Sequence, residues 1–222
     1  MTENRLNTSR SWYDHLAQDQ RDRILASSNL VSFKKNETII KQGTTAGHIL
    51  YLEEGMVKLI VEDKERSTVF KIITNNTFIG LMCSFVKRNF DFSAVAIVPS
   101  SVRFIDRGVF EDAVRQNGDF AVYIVQLMSL MTNKVVHDLI QLSHKNADGA
   151  ICTILLDLAS IFGSNNFEMP FSRVELANTV GYSKESVISC LSSLQREGIV
   201  RSSGKSIEII DLARLENIAR FG

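Results

Sequence analysis

The spacing of apolar residues changes along the chain, and this change is the feature that most limits the possible folds. Between Val31 and Arg107, apolar residues come in short runs rich in β-branched and aromatic side chains, separated by turn-forming residues. The runs are Thr38–Ile40, Ile49–Leu52, Val57–Val61, Val69–Ile73, Ala94–Val98 and Val102–Ile105. Short strands at about 8–12-residue spacing are typical of an all-β barrel or sandwich. We therefore expect a jelly-roll-like barrel over residues 1–118.

A helical period follows over residues 119–146, where apolar positions recur every three or four residues. One stripe consists of Val125, Met128, Thr132, Val135, Leu139 and Leu142. A second stripe, Phe120, Ile124, Leu127 and Met131, lies beside it. Because one stripe can cover the barrel while the other meets a partner helix, we expect a dimerisation helix with coiled-coil spacing. The alternative is a wholly buried core helix.

Residues 147–222 carry the signals of two short capped helices. Ser172-x-x-Glu175 is a capping-box pattern that opens the first helix. Gly181 supplies the turn, and Ser183 is the N-cap of the second helix. The predicted inward residues are Val174, Leu176, Ala177 and Val180 on the first helix and Val187, Leu191 and Leu194 on the second.

Two short strand-like segments, Ile199–Arg201 and Ser206–Ile210, follow these helices and flank a turn that contains Gly204. Helix, turn, helix and wing is the layout of a winged helix-turn-helix. The alternative is a capped helix pair with a solvated face, as occurs in many proteins. The fold class predicted for the whole chain is α+β.

Composition limits the class of protein without indicating a partner. The 222 residues are 45% hydrophobic, with 25 basic and 25 acidic side chains, which is typical of a soluble globular protein rather than a disordered chain or disulfide scaffold. Residues 1–146 carry 18 basic and 16 acidic side chains, and residues 147–222 carry 7 and 9. Neither part is strongly basic, whereas nucleic-acid-binding domains often are. Residues 182–205, with four basic and two acidic side chains, retain a modest positive patch.

Cysteine usage and the absence of targeting signals indicate a cytoplasmic protein. Cys83, Cys152 and Cys190 are far apart and form no C-x-x-C spacing, so we expect neither disulfides nor a thiolate metal site. His137 and His144 lie seven residues apart on the helix and are interpreted as surface residues or residues of the dimer interface rather than metal ligands. No signal core or membrane-length apolar stretch is present. No G-x-S-x-G, H-E-x-x-H or P-loop motif occurs, so an enzyme is not expected.

Two pairs of segments carry a resemblance to known proteins: Asn36–Gly43 with Ile49–Leu59 in the N-terminal part, and Ser172–Ala177 with Gly181–Val187 in the C-terminal part. With both motifs in this order, the whole chain resembles the CRP/FNR family of bacterial transcription regulators. The resemblance implies a cyclic-nucleotide-binding-type jelly roll, a dimerisation helix, and a homodimer that binds palindromic double-stranded DNA, with RNA polymerase as a further partner. The alternative is a binding module of this type that regulates a protein partner rather than DNA.

The resemblance also allows a position-by-position test for cyclic AMP. The Gly-Glu whose carboxylate holds the ribose in cyclic-nucleotide binders reads Gly80-Leu81 here, and the arginine that neutralises the phosphate falls on Phe90 or Phe92. The Thr-Ser pair that contacts the purine aligns with Val135-Val136. Burying a nucleotide's charge without these contacts costs several kcal/mol. Cyclic AMP is therefore not expected.

The same positions suggest an apolar effector pocket, lined by Leu81, Met82, Phe90, Phe92, Val135 and Val136. The alternative is that these side chains fill the barrel and leave no ligand site. Lys87 and Arg88 either hold another anion or are solvated loop charges.

No cofactor is predicted. The oxygen-sensing branch of the family carries a cysteine cluster near its N-terminus, whereas the first cysteine here is Cys83. An iron–sulfur cluster needs about four thiolate ligands and is not expected. Haem stays an alternative, with Cys83 or His48 as axial ligand, against the interpretation of Cys83 as a buried barrel thiol.

The resemblance assigns DNA contacts to the second capped helix. Glu185 matches the glutamate that accepts a hydrogen bond from cytosine N4, and Ser189 stands where relatives carry a guanine-reading arginine. Because a hydroxyl cannot replace a bidentate arginine, the half-site should differ from TGTGA-like and TTGAT-like words. Lys184 and Ser186 are expected to contact bases or phosphates. The predicted phosphate ligands are Ser172, Arg173, Ser183 and Lys205.

Overall fold

The computed structural model describes residues 11–63, 66–86 and 89–222. These residues form two compact units: residues 11–57 with 73–134, and residues 58–72 with 135–222. The second unit therefore combines a β-hairpin from the N-terminal half with the C-terminal helices. The predicted division into residues 1–118, 119–146 and 147–222 separates the chain by the function expected of each part, whereas the two units are defined by internal contacts. The functional division stays a prediction.

The first part of the chain consists mainly of strands, with helices before, between and after them, and it ends in one long helix. After a 3-10 helix, Trp12–His15, the elements in order are α1 Gln18–Ala26, β1 Ser28–Phe33, β2 Thr38–Ile40, β3 His48–Glu54, β4 Met56–Asp63, β5 Arg66–Thr74, β6 Thr77–Ile79, α2 Leu81–Val86, β7 Ser93–Ala96, β8 Ser100–Asp106, α3 Arg107–Gln116 and α4 Gly118–Ser143. Every apolar run identified in the sequence overlaps a strand. The sequence patterns do not predict α1 or α2.

The remaining elements form the C-terminal part. They are α5 Ala147–Phe162, β9 Asn166–Glu168, α6 Arg173–Val180, α7 Lys184–Arg196, β10 Val200–Ser203, β11 Ser206–Ile209 and α8 Leu212–Phe221. Two helices, a turn and the β10–β11 hairpin confirm the predicted winged helix-turn-helix. The sequence patterns do not predict β9 or α8.

The strands belong to three sheets. The first has the order β1-β8-β3-β6 and is antiparallel throughout, with Leu50 opposite Phe104 on one side and Ile79 on the other. The second contains β2, β7, β4 and β5, in which β2 pairs antiparallel with β7. The third, β10-β11-β9, extends the wing by one strand. These sheets confirm the α+β class.

The core of the first unit is an aromatic cluster around Trp12. The Trp12 ring lies 5.2 Å from Phe78 and 5.9 Å from Phe110, measured between ring centroids. Phe120 and Ile124 of α4 are buried in the same cluster. Packing of these side chains holds the first half of α4 in the first unit.

The opposite side of α4 is exposed. In the stripe of α4 that is predicted to meet a partner helix, Val125 is 63% exposed and Leu139 is 64% exposed. Met128 is partly buried against the aromatic cluster, and Leu142 is also half-buried. The alternative of a wholly buried helix is therefore wrong, because a long part of this helix carries apolar side chains on an uncovered face.

A separate core holds the C-terminal helices together. Its buried residues include Ile151, Leu155 and Leu158 of α5, Val187, Leu191 and Leu194 of α7, and Leu215 of α8. Cys152 and Cys190 are buried in this core, and a hydrogen bond with Cys152 together with burial raises the pKa of the Cys190 thiol.

Within the described residues, no helix is both long and apolar enough to cross a membrane. The cytoplasmic location stays a prediction.

We predict that Gly149→Ala destabilises the C-terminal core. A Cβ atom at Gly149 would lie 2.7 Å from the backbone C and O atoms of Gly222, so the end of α8 would have to move away from α5. We expect a loss of about 1–3 kcal/mol, measured by calorimetric unfolding. A Cβ atom at Gly118 meets nothing within 4 Å, so Gly118→Ala is the matched control and should be neutral or slightly stabilising. Equal stability of the two variants would contradict this packing.

Candidate nucleic-acid interface

The first helix of the helix-turn-helix, α6, begins at the predicted capping box. The Ser172 hydroxyl accepts a hydrogen bond from the Glu175 N–H at 3.1 Å, and the Glu175 carboxylate accepts one from the Ser172 N–H at 2.7 Å. Gly181 ends the helix with a left-handed φ of +77°, which favours glycine. Val174 was predicted to face inward but is half exposed. It lies about a third of a turn from the face that Leu176, Ala177 and Val180 bury.

The second helix, α7, presents its polar N-terminal part to solvent. The Ser183 hydroxyl accepts a hydrogen bond from the Ser186 N–H at 3.0 Å and caps the helix as predicted. Burial of Val187, Leu191 and Leu194 fixes the rotation of the helix about its axis. Lys184, Glu185 and Ser189 are consequently exposed.

The wing lies next to the first turn of α6. The Arg173 guanidinium donates to the Ser202 hydroxyl at 3.3 Å and to the Gly204 carbonyl at 3.4 Å. Burial lowers the pKa of Arg173. These bonds place Arg173 beside the wing turn that carries the exposed Lys205.

The structure brings the predicted DNA contacts onto one set of consecutive elements. The residues lie at the N-terminus of α6, along the first two turns of α7 and in the wing turn: Ser172, Arg173, Ser183, Lys184, Glu185, Ser186, Ser189 and Lys205. None of the eight is fully buried. Their roles as DNA contacts stay predictions.

A β-hairpin formed by the later part of β4 and most of β5 packs against α6 in the second unit. Lys58 of β4 forms a largely buried ion pair with Glu175 at 2.8 Å and donates to the Pro170 carbonyl at 3.2 Å. Asn178 and Thr179 of α6 donate to the β5 carbonyls of Ser67 and Val69, each at 2.9 Å. Sequence patterns miss these contacts, because the Lys58–Glu175 pair spans 117 positions.

The pKa of Glu175 reflects this environment. Burial raises it, but hydrogen bonds from Lys58 and Ser172 and the positive charge of Lys58 have the larger combined effect, so the pKa lies below its ordinary value. Glu175 therefore remains a carboxylate at neutral pH and holds both the start of α6 and the hairpin.

The predicted effector-pocket residues are divided by exposure. Leu81, Phe90 and Phe92 are buried, whereas Met82, Val135 and Val136 are exposed. The Phe90 ring packs so closely on Gly80 that a Cβ atom there would lie 2.8 Å from it. A separate cavity of about 70 Å³ is lined by Gln20, Arg23, Val109, Asp112 and Ala113, none of which belongs to the predicted pocket. Lys87 and Arg88 lie outside the described residues.

The two residues considered as haem ligands differ in accessibility. Cys83 is half-buried, and His48 is exposed with its ring 6.0 Å from that of Phe104. Across residues 11–63, 66–86 and 89–222, no group of three or more His, Cys, Asp or Glu side chains is arranged to hold a metal ion.

Comparison with known proteins identifies both parts of the chain. Residues 30–117 match the model of the cyclic nucleotide-binding domain, and residues 149–218 match the Crp-like helix-turn-helix domain. The chain belongs to the CRP/FNR family of transcription regulators. The regulator predicted in place of an enzyme is thereby confirmed.

Individual relatives of this CRP/FNR protein are regulators. The transcriptional activator FnrA of Stutzerimonas stutzeri is 25% identical over 80% of this chain and 75% of its own length. The cAMP-activated global transcriptional regulator Vfr of Pseudomonas aeruginosa is 22% identical over 85% of this chain and 92% of its own. A crystal structure of a CRP/FNR-family protein from Eubacterium rectale superposes with a TM-score of 0.82 at 21% identity, covering 96% of this chain and all of the other. That likeness shows the fold.

The residues of this family member do not fit a cyclic nucleotide at the positions that the sequence comparison indicates. Leu81 supplies a buried aliphatic side chain where a carboxylate is needed. Phe90 and Phe92 are buried rings rather than a cation, and Phe90 occupies the space beside Gly80. These three side chains therefore offer no polar contact to a ribose or a phosphate.

We predict that Lys58→Met destabilises the second unit in a pH-dependent way. Because the pKa of Glu175 is lowered in the folded state, its contribution is present above the ordinary glutamate pKa and is lost as the pH falls through the folded-state pKa. The variant should lose about 1–3 kcal/mol at about pH 7, and this loss should shrink as the pH is lowered toward about pH 3, measured by thermal unfolding.

The matched control is Arg23→Met, which breaks the exposed Arg23–Asp19 ion pair of 3.1 Å. It should change stability by less than about 0.5 kcal/mol at either pH. A loss in Lys58→Met that is independent of pH would show that Glu175 does not depend on this pair.

Proposed function

We propose that this CRP/FNR protein is a homodimeric regulator that binds a palindromic operator in double-stranded DNA without cyclic AMP. The observation that carries the proposal is the exposure of Lys184, Glu185 and Ser189 on α7, with the wing turn beside α6. A helix with a polar N-terminal face fits a major groove about 12 Å wide. Ser172, Ser183 and the helix N-termini offer hydroxyl and amide donors to phosphates.

The exposed stripe of α4 supports the homodimer. Val125, Thr132 and Leu139 are seven residues apart, as are Met128, Val135 and Leu142, which is the repeat of a coiled-coil seam. A second copy of the same helix would remove the exposed members of this stripe from water. Such a dimer would place its two copies of α7, the proposed recognition helices, in successive major grooves about 34 Å apart.

The predicted effector pocket bears on whether this protein has an effector. Burial of Leu81, Phe90 and Phe92 favours the interpretation that side chains fill this end of the barrel. We therefore propose a protein that binds DNA with no nucleotide effector, either constitutively or under another signal. RNA polymerase is proposed as its further partner in transcription.

The proposal is tested by selecting binding sites from random duplex DNA with purified protein, with and without added cyclic AMP. We expect a palindrome with half-sites one helical turn apart that lack TGTGA-like and TTGAT-like words. Affinity for it should fall steeply with salt and not change with cyclic AMP. Glu185→Gln should lower affinity about 5–100-fold, whereas Glu216→Gln, an exposed carboxylate on α8, should have no effect. No enriched sequence, with or without cell extract, would instead favour a module that regulates a protein partner.

The proposed dimer interface is tested by Leu139→Lys, which places a charge among the apolar residues near the C-terminal end of the stripe. Sedimentation should show a monomer, and affinity for the palindrome should fall at least about 10-fold because the two half-sites are no longer bound together. Gln141→Lys adds the same charge to an exposed polar position of α4 and should remain dimeric. A dimeric Leu139→Lys protein would place the subunit interface elsewhere.

A further inference from the structure

Ile188 is an exposed apolar side chain on the outer face of the recognition helix. It is 46% exposed, while Val187, Cys190 and Leu191 on either side of it are buried. Ile188 lies four residues after Lys184 and three after Glu185, so helical periodicity places it on the same face as both. The predicted DNA contacts do not include it.

Its surroundings distinguish Ile188 from an ordinary exposed hydrophobic residue. Single exposed apolar side chains are common on protein surfaces. Here the following exposed positions on the same side are the short Ser189 and Ser192, and the Ser192 hydroxyl donates back to the Ile188 carbonyl at 2.8 Å. Ile188 is therefore the largest apolar group on a face otherwise made of charges and small hydroxyls.

The chemistry of the major groove offers one matching partner. The base edges there present hydrogen-bond donors and acceptors, with the 5-methyl group of thymine as the apolar exception. An isoleucine side chain has no hydrogen-bonding group and excludes water from donors or acceptors that it covers. Thymine is thus the base that Ile188 can contact without leaving a polar base edge unsatisfied.

We propose that Ile188 selects a thymine in each half-site by packing on its 5-methyl group. This inference rests on the proposed DNA-binding function and adds a specificity-determining residue to it. Glu185 and Ile188 are separated by about 4.5 Å along the helix axis. The thymine should therefore lie within one or two base pairs of the cytosine that Glu185 contacts.

The test removes the methyl group from the DNA and the side chain from the protein in one thermodynamic cycle. Each thymine of the selected half-site is replaced in turn by deoxyuridine, which lacks only the 5-methyl group, and affinities are measured for the wild type and Ile188→Ala. At one position, the wild type should lose about 3–10-fold in affinity. Ile188→Ala should bind the two duplexes equally, because the group that contacts the methyl is gone.

Two further variants control for folding and for general loss of apolar surface. Ile210→Ala removes an isoleucine that is 51% exposed outside α7 and should respond to deoxyuridine as the wild type does. Ile188→Val keeps a branched side chain and should retain part of the discrimination. Unchanged thermal unfolding of Ile188→Ala would confirm that the fold is intact.

The outcomes separate this inference from the function on which it rests. If the wild type selects an operator and Glu185→Gln weakens binding, but deoxyuridine has no effect at any position, the thymine contact is wrong and the DNA-binding function stands. An equal loss on deoxyuridine DNA for wild type and Ile188→Ala would also overturn it. Absence of any enriched sequence rejects the proposed function and this inference together.

Discussion

Phe120 and Ile124 attach α4 to the aromatic core around Trp12, and this packing decides which side of the helix remains exposed. Since a helix repeats every 3.6 residues, burying one stripe directs the residues on the other side toward solvent. Val125 and Leu139 are uncovered for that reason. The proposed subunit interface is thus the consequence of a core contact made elsewhere on the same helix.

The same constraint operates in α7. Val187, Leu191 and Leu194 bury one face against the C-terminal core, so Glu185 and Ile188 face outward. Ser183 and Gly181 fix where α7 begins and how it leaves α6. The candidate DNA-binding face is therefore specified by apolar packing and two short-range caps, while the residues on that face are free to determine sequence preference.

Polar contacts, rather than apolar packing alone, join α6 to the hairpin of β4 and β5. Glu175 caps its own helix and pairs with Lys58, so one carboxylate serves both a local and a distant interaction. In the predicted effector pocket, by contrast, Leu81 and Phe90 are buried apolar side chains. They offer no polar contact to a nucleotide. The hairpin and α6 are joined by an ion pair and hydrogen bonds between protein groups.

Short-range signals determined much of this protein from its sequence. The strand runs, the period of α4, and the caps Ser172, Ser183 and Gly181 act over a few residues and are readable without a structure. The exposure of Val174 was missed because α6 is short and its apolar residues do not define a single face. Only the tertiary structure decided that Lys58 reaches Glu175 and that Trp12 lies under α4, since such contacts join residues about a hundred positions apart and depend on how the whole chain packs.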